Sequence, residues 1–106
     1  MTIDGRLLLL RSVTEAAWRS QVIAWARRDG WRVYFTYRSR RSPAGFPDLV
    51  LVRPPRLVIA ELKREHGGRF SQDQRDWLTD LGGCPGVEVY AWKPSDEVSV
   101  KLVLAP

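Results

Sequence analysis

Cysteine, histidine and methionine each occur once in this chain, as Cys84, His66 and Met1. A lone cysteine excludes an internal disulfide framework, and the lack of any CxxC or Cys/His cluster argues against a zinc site. Such usage fits a reducing compartment, the cytoplasm. His66 has no companion ligand and reads as a surface residue. Long apolar runs are also missing. No wholly apolar stretch exceeds the five residues 22–26, against the roughly 20 residues that span a bilayer. The apolar run at residues 7–10 follows Arg6 as a short signal core would. Arg11 closes it at once, however, and no small-residue cleavage site follows, so no signal peptide is read here. No membrane partner is expected.

Acidic residues are the scarcer charge, 12 against 17 basic ones, and arginine far outnumbers lysine. A net charge of +5 suits a polyanionic partner, although many basic proteins bind none. The 106 residues, 44% of them hydrophobic, make one domain over 1–106 with its own core. Repeats, low-complexity segments and linkers are absent.

The chain is organised around residues 47–63. Residues 48–52 and 57–63 are rich in Leu, Val and Ile and read as two strands, with Pro54 and Pro55 between them. Proline cannot donate to a sheet ladder, and it cannot take the positive φ of a two-residue hairpin turn. Residues 53–56 are therefore read as a four-residue loop, with Val52 opposite Leu57. Paired numbers in an antiparallel hairpin keep a constant sum, so Asp48 falls opposite Glu61. Lys63, two residues on, shares their face. Opposed Cβ atoms lie about 5 Å apart, where two unit charges at an effective dielectric of ~20 repel by roughly 3 kcal/mol. A proton, Lys63 or a metal ion has to offset that. Val50, Val52, Leu57 and Ile59 share the acidic face, while Leu49, Leu51, Val58, Ala60 and Leu62 take the other. A pair apolar on both sides is expected to be buried between helices.

Around this hairpin the periodicities change in order. Residues 1–11 read either as a short strand or as an extension of the first helix. Residues 12–29 are helical, with the stripe Trp18, Val22, Trp25 and Ala26, and Gly30 as C-terminal cap. Glu15 precedes that stripe at helical spacing and so points the same way. Ser12 to Glu15 has the form of a capping box, which competes with a functional role for Glu15. Residues 31–37 read as a strand. Residues 38–46 form a basic turn-rich loop with Arg38, Arg40 and Arg41. Three arginines alone make a solvated loop; directly ahead of an acidic hairpin they suit a phosphate clamp. Residues 71–81 form a second helix, capped by Ser71 with Gln74 in the capping-box position. Gln74 also heads the stripe Trp77, Leu78, Leu81. Residues 87–93 form a strand parallel to residues 57–63. Residues 97–104 alternate apolar and polar, a pattern that favours a strand, with a helix as the alternative.

An Asp and a Glu across a hairpin, with Lys on the same face, suit a hard cation. Mg²⁺ takes oxygen ligands and keeps several waters, which leaves room for a substrate phosphate and an attacking water. Lys63 would position that water or stabilise charge developing on the phosphate.

Pro47-Asp48 followed by Glu61-Leu62-Lys63 resembles the PD-(D/E)XK nuclease signature. The likeness extends through Glu15 on the first helix, Gly45-Phe46-Pro47-Asp48-Leu49-Val50-Leu51, Gln74-Arg75-Asp76-Trp77-Leu78 and the strand from Val87. Over roughly residues 12–96 the chain resembles the VRR-NUC (virus-type replication-repair nuclease) branch of that superfamily. The resemblance implies an α/β, restriction-endonuclease-like fold with an αβββαβ core, its mixed β-sheet flanked by helices. It implies a nuclease dependent on Mg²⁺ or Mn²⁺ that hydrolyses phosphodiester bonds in DNA, including branched, junction or flap DNA. Asp48, Glu61 and the Leu62 carbonyl would be metal ligands, and Lys63 would serve the water. Glu15 would contribute directly or through water, and Gln74 matches the family's glutamine after the Glu-x-Lys strand. It also implies a homodimer, which would cover the apolar N-terminal run and the final element.

Two other functions compete. A non-catalytic nucleic-acid-binding module on the same fold has no need of paired acids. A carboxylate-pair hydrolase of sugars gains nothing from an arginine loop.

Overall fold

The computed structural model describes residues 5–36 and 43–106. The element order is α1 (Gly5–Ser12), α2 (Glu15–Arg28), β1 (Arg32–Phe35), β2 (Leu49–Arg53), β3 (Arg56–Leu62), α3 (Gln72–Gly82), β4 (Val87–Trp92), a 3-10 turn (Pro94–Asp96) and α4 (Glu97–Leu104). Arg38, Arg40 and Arg41 lie outside the described residues.

The helix expected over residues 12–29 starts three residues late, and the described residues ahead of it form neither a strand nor its extension. Residues 5–12 form a helix of their own, and α2 begins only at Glu15. The predicted Ser12–Glu15 capping box does not form. Thr14 is the N-cap, and its side chain accepts from Ala17 N at 3.0 Å. Ser12 Oγ instead donates back to Leu9 O at 2.6 Å. Val13 packs against the core, which fixes the break between the helices and leaves Thr14 the nearer cap. Arg27 and Arg28 in the last turn of α2 complement its dipole, and Gly30 at φ +89° ends it.

Four strands form one sheet in the order β1-β2-β3-β4. The first three are antiparallel, and β4 runs parallel to β3 after the α3 crossover. The sheet is therefore mixed and flanked by helices, as expected. The hairpin register also matches, with Val52 opposite Leu57 and Leu49 opposite Ala60. Its loop is shorter than predicted, because Arg53 pairs with Arg56 and leaves only Pro54 and Pro55 in the turn. The peptide between them is cis, the isomer that lets proline occupy the third position of a tight turn without positive φ.

The two faces of the hairpin differ. Leu49, Leu51, Val58, Ala60 and Leu62 are fully buried in one core with Trp18, Val22 and Ala26 of α2 and Val100 and Leu104 of α4. On the acidic face Val50, Val52 and Leu57 stay partly exposed. Burial on both faces was expected; on the acidic face it is reached at Ile59 and Glu61 and is only partial along the rest of the pair. Trp77 of α3 meets Phe46, just ahead of β2, edge-on at 5.0 Å, and α3 has no fully buried residue.

The last element is a helix, not the favoured strand. Residues two apart are about 200° apart on a helix, so an alternating pattern separates two faces there as it does on a strand. Val100 and Leu104 are buried, whereas Val98 and Leu102 are 66% and 73% exposed. Tertiary contacts decide between the two. Arg56 Nη1 donates to Val103 O at 2.7 Å, Arg53 Nη1 to Leu104 O at 2.9 Å, Arg53 Nη2 to Ala105 O at 2.9 Å and Trp31 Nε1 to Leu104 O at 2.8 Å. These are carbonyls that a helix end leaves without partners. Both guanidiniums also lie over the Trp31 ring. Among the described residues no helix is long and apolar enough to cross a membrane.

Candidate active site

Continuing the β2–β3 register by one residue sets Asp48 opposite Glu61. Asp48 Oδ2 accepts from the Leu62 N–H at 2.8 Å, so the backbone of β3 orients the aspartate. Glu61 is almost fully buried. Its Oε2 is buried without a hydrogen-bond partner among the described residues, while Lys63 Nζ stands 3.8 Å away. Burial, followed by a hydrogen bond and charge repulsion from Asp48, pushes the Glu61 carboxyl up to about 9, with Lys63 pulling the other way. Leu62 turns its side chain into the core between them.

Lys63 is held from several sides. Its Nζ donates to Gln74 Oε1 at 3.1 Å and lies 5.2 Å from the Phe70 ring centroid. Its backbone N–H donates to Trp92 O at 2.9 Å, and that carbonyl also accepts from Trp18 Nε1 at 3.1 Å. A core tryptophan on α2 thus shares one carbonyl with the lysine of the site. Gln74 Oε1 accepts from Ser71 N as well, at 2.9 Å, and Ser71 Oγ accepts from Gln74 N at 3.1 Å. The capping box of α3 and the contact to Lys63 are made by the same side chain.

Glu15 opens α2 on the side of Trp18 and Val22, as its spacing suggested, but it is exposed rather than turned away from water. It lines a cleft that Lys63 also lines. Among the described residues no His, Cys, Asp or Glu joins Asp48 and Glu61 to make a group of three that could hold a metal ion.

Several residues that build the site do so through contacts that the sequence did not reveal. Gly45, at φ +87°, lies so close to α3 that a Cβ there would come within 2.6 Å of Asp73 Cβ and 2.7 Å of Gln74 N. Phe46 packs on Trp77 beside it, and Pro47 is fully buried. The segment before Asp48 is thereby seated on the first turn of α3, where Gln74 starts. Phe70 and Trp92 gave no local signal, because their partners are distant in the sequence. Gly45 offered one, as a glycine in a turn-rich loop, but its neighbour on α3 could not be read.

No curated protein and no solved structure matches the chain. A profile of the VRR-NUC domain matches residues 7–94. That span runs from α1 through β4 and contains both acids, Lys63, Gln74 and Glu15. The residues that converge at the end of the hairpin therefore stand inside a match covering most of the protein, and the chain belongs to the VRR-NUC domain family, a family of nucleases.

Proposed function

We propose that the protein hydrolyses phosphodiester bonds in DNA with a divalent cation, Mg²⁺ or Mn²⁺, held by Asp48 and Glu61. The supporting observation is the buried, unpartnered Glu61 Oε2. A carboxylate oxygen out of water with no donor is costly, and its nearest cation, Lys63 at 3.8 Å, already donates to Gln74. The donor set is all oxygen, which fits Mg²⁺. That ion is commonly held by one or two carboxylates plus substrate phosphate and water, so a third acidic side chain is not required.

Asp48 enters with one oxygen fixed by the Leu62 N–H. Glu61, as the carboxylate, and the Leu62 carbonyl would complete the donor set with it. When bound, the cation supplies a Lewis acid that polarises the phosphoryl oxygen and lowers the pKa of a bound water. Lys63, fixed by Gln74, sets its ammonium beside the acids to orient the water and stabilise charge on the phosphate. Glu15 acts from the cleft through water, and Arg38, Arg40 and Arg41 hold the polyanion. A pure binding module would gain nothing from burying a carboxylate against a second one.

The test is cleavage of labelled junctions, flaps, duplexes and single strands with Mg²⁺, Mn²⁺ or EDTA. Asp48→Ala and Lys63→Ala should abolish cleavage and retain DNA binding. Equal loss of binding and cleavage, or activity that survives EDTA, refutes the reading. The panel also shows whether branched DNA is preferred. Leu8 and Leu9 on α1, with Val98 and Leu102 on α4, offer exposed apolar surface for a second copy. Sedimentation that finds only monomer at high concentration removes the homodimer.

A further inference from the structure

Beside the acid pair lies a cleft of about 420 Å³, within the roughly 300–1,000 Å³ of ligand-holding pockets. One wall is the junction of α1 and α2, with Arg11 and Glu15. The other is the segment after β3, with Lys63, Arg64 and Arg69. Four cationic side chains face one carboxylate. Among the described residues Arg11, Arg64 and Arg69 make no ion pair; the pairs that form involve other arginines and lysines.

The backbone after β3 is shaped to carry these cations. Gly67 has φ +80°, and a Cβ on it would lie 3.0 Å from Arg64 Nη2. A Cβ on Gly68 would lie 3.1 Å from Lys63 Cβ and 3.2 Å from Arg64 O. Two glycines in a row let the Lys63 and Arg64 side chains lie against the loop while lining the cleft. Side chains at both positions would crowd them.

We infer that this cleft seats the sugar-phosphate backbone of the nucleic acid on one side of the bond that is cut, with Arg11, Arg64 and Arg69 contacting phosphates. The inference rests on the nuclease reading above. Lys63 belongs to both the cleft and the acid pair, so a strand whose scissile phosphate lies at Asp48 and Glu61 continues past Lys63 into the arginines. Guanidinium pairs with phosphate through two parallel hydrogen bonds. Among the described residues no aromatic ring lines the cleft, and they offer no base-stacking platform. Its contacts add affinity and position the strand without reading sequence.

Fluorescence anisotropy of a labelled mixed-sequence duplex in EDTA, across a salt series, tests this. The variant is Arg11→Gln/Arg64→Gln/Arg69→Gln, and the reference is Arg28→Gln, at the far end of α2. The slope of log affinity against log salt should flatten by about 0.9 for each contact removed. The loss should be the same for duplexes of different sequence. In cleavage assays KM should rise with kcat held, the signature of lost uniform binding. Arg28→Gln should change neither. A triple variant with the wild-type slope, while the wild type still cuts, overturns the clamp and leaves the nuclease reading standing. An equal loss in Arg28→Gln also overturns it. A wild type that neither binds nor cuts any nucleic acid overturns both.

Discussion

Lys63 Nζ donates to Gln74 Oε1 at 3.1 Å, and that oxygen also takes the Ser71 N–H at the start of α3. One amide caps a helix and holds the ammonium of the site. Gln74→Ala removes both contacts. It should lower stability by about 1 kcal/mol, the usual size of a lost cap. It should also lower cleavage by about 10–100-fold, as for groups that orient a metal site's ligands. Gln74→Glu keeps an acceptor for both donors and should recover most of each. Urea melts and single-turnover cleavage of the two variants separate the roles; equal activity in both would show that the contact to Lys63 is only structural.

Gly45 sits at φ +87° with α3 where its Cβ would be. Gly45→Ala meets both obstacles. The left-handed conformation alone costs roughly 1–2 kcal/mol for a residue with a Cβ. The contact with Asp73 and Gln74 involves backbone atoms, so relief requires α3 to shift. The expected result is a lower melting temperature and a loss of cleavage larger than the loss of fold explains, because Gln74 moves with its helix. Gly5, with open space around its Cβ position, is the control, and Gly5→Ala should leave both readouts unchanged.

The acid pair was legible because two simple rules fix it. Side chains on a strand alternate, and hairpin register follows from the loop; Val52 opposite Leu57 was enough to bring Asp48 to Glu61. The error of counting Arg53 and Arg56 as loop did no harm, since shortening the loop from both ends keeps the register. The final helix was not legible, because Val98, Val100, Leu102 and Leu104 separate into two faces in either conformation. Its state is set by Arg53, Arg56 and Trp31, all distant in sequence. The helix start was misread for a smaller reason. Ser12 and Thr14 both make good caps, and only the packing of Val13 distinguishes them. Glu15, in the first turn of α2, is exposed and lines the cleft.

Arg56 joins α4 to the sheet edge. It donates to Val103 O and, through Nε and Nη2, to both oxygens of Glu88, which also accepts from the Tyr90 hydroxyl. Arg56→Ala should cost about 2 kcal/mol, the order of one charge-assisted hydrogen bond, and should fray the C-terminal turn of α4. Amide exchange at the end of α4, read beside a urea melt, checks both. The hydrogen bond from Arg56 holds the Glu88 carboxyl below its ordinary value despite some burial. The stability it contributes is therefore present above the unfolded value and lost as pH falls through the lowered folded one. In Arg56→Ala that part of the acid transition should shrink.

Glu61 behaves in the opposite sense, and this allows cation binding to be tested without cleavage. Its carboxyl is raised to about 9, chiefly by burial and then by Asp48. Above the ordinary carboxyl value the folded chain holds a proton that the unfolded chain has released, so stability falls as pH rises. The contribution is complete below the unfolded value and gone once pH passes the folded one. A divalent cation requires the carboxylate, so its binding expels that proton and strengthens as pH rises toward about 9. Melting temperature in EDTA should decline from acid to mildly alkaline pH, whereas saturating Mg²⁺ or Mn²⁺ should raise it most at the alkaline end. Glu61→Gln, which keeps the shape and cannot ionise, should flatten the EDTA curve and abolish the cation's effect. A cation shift that is the same at every pH, or that survives Glu61→Gln, would place the ion elsewhere on the protein.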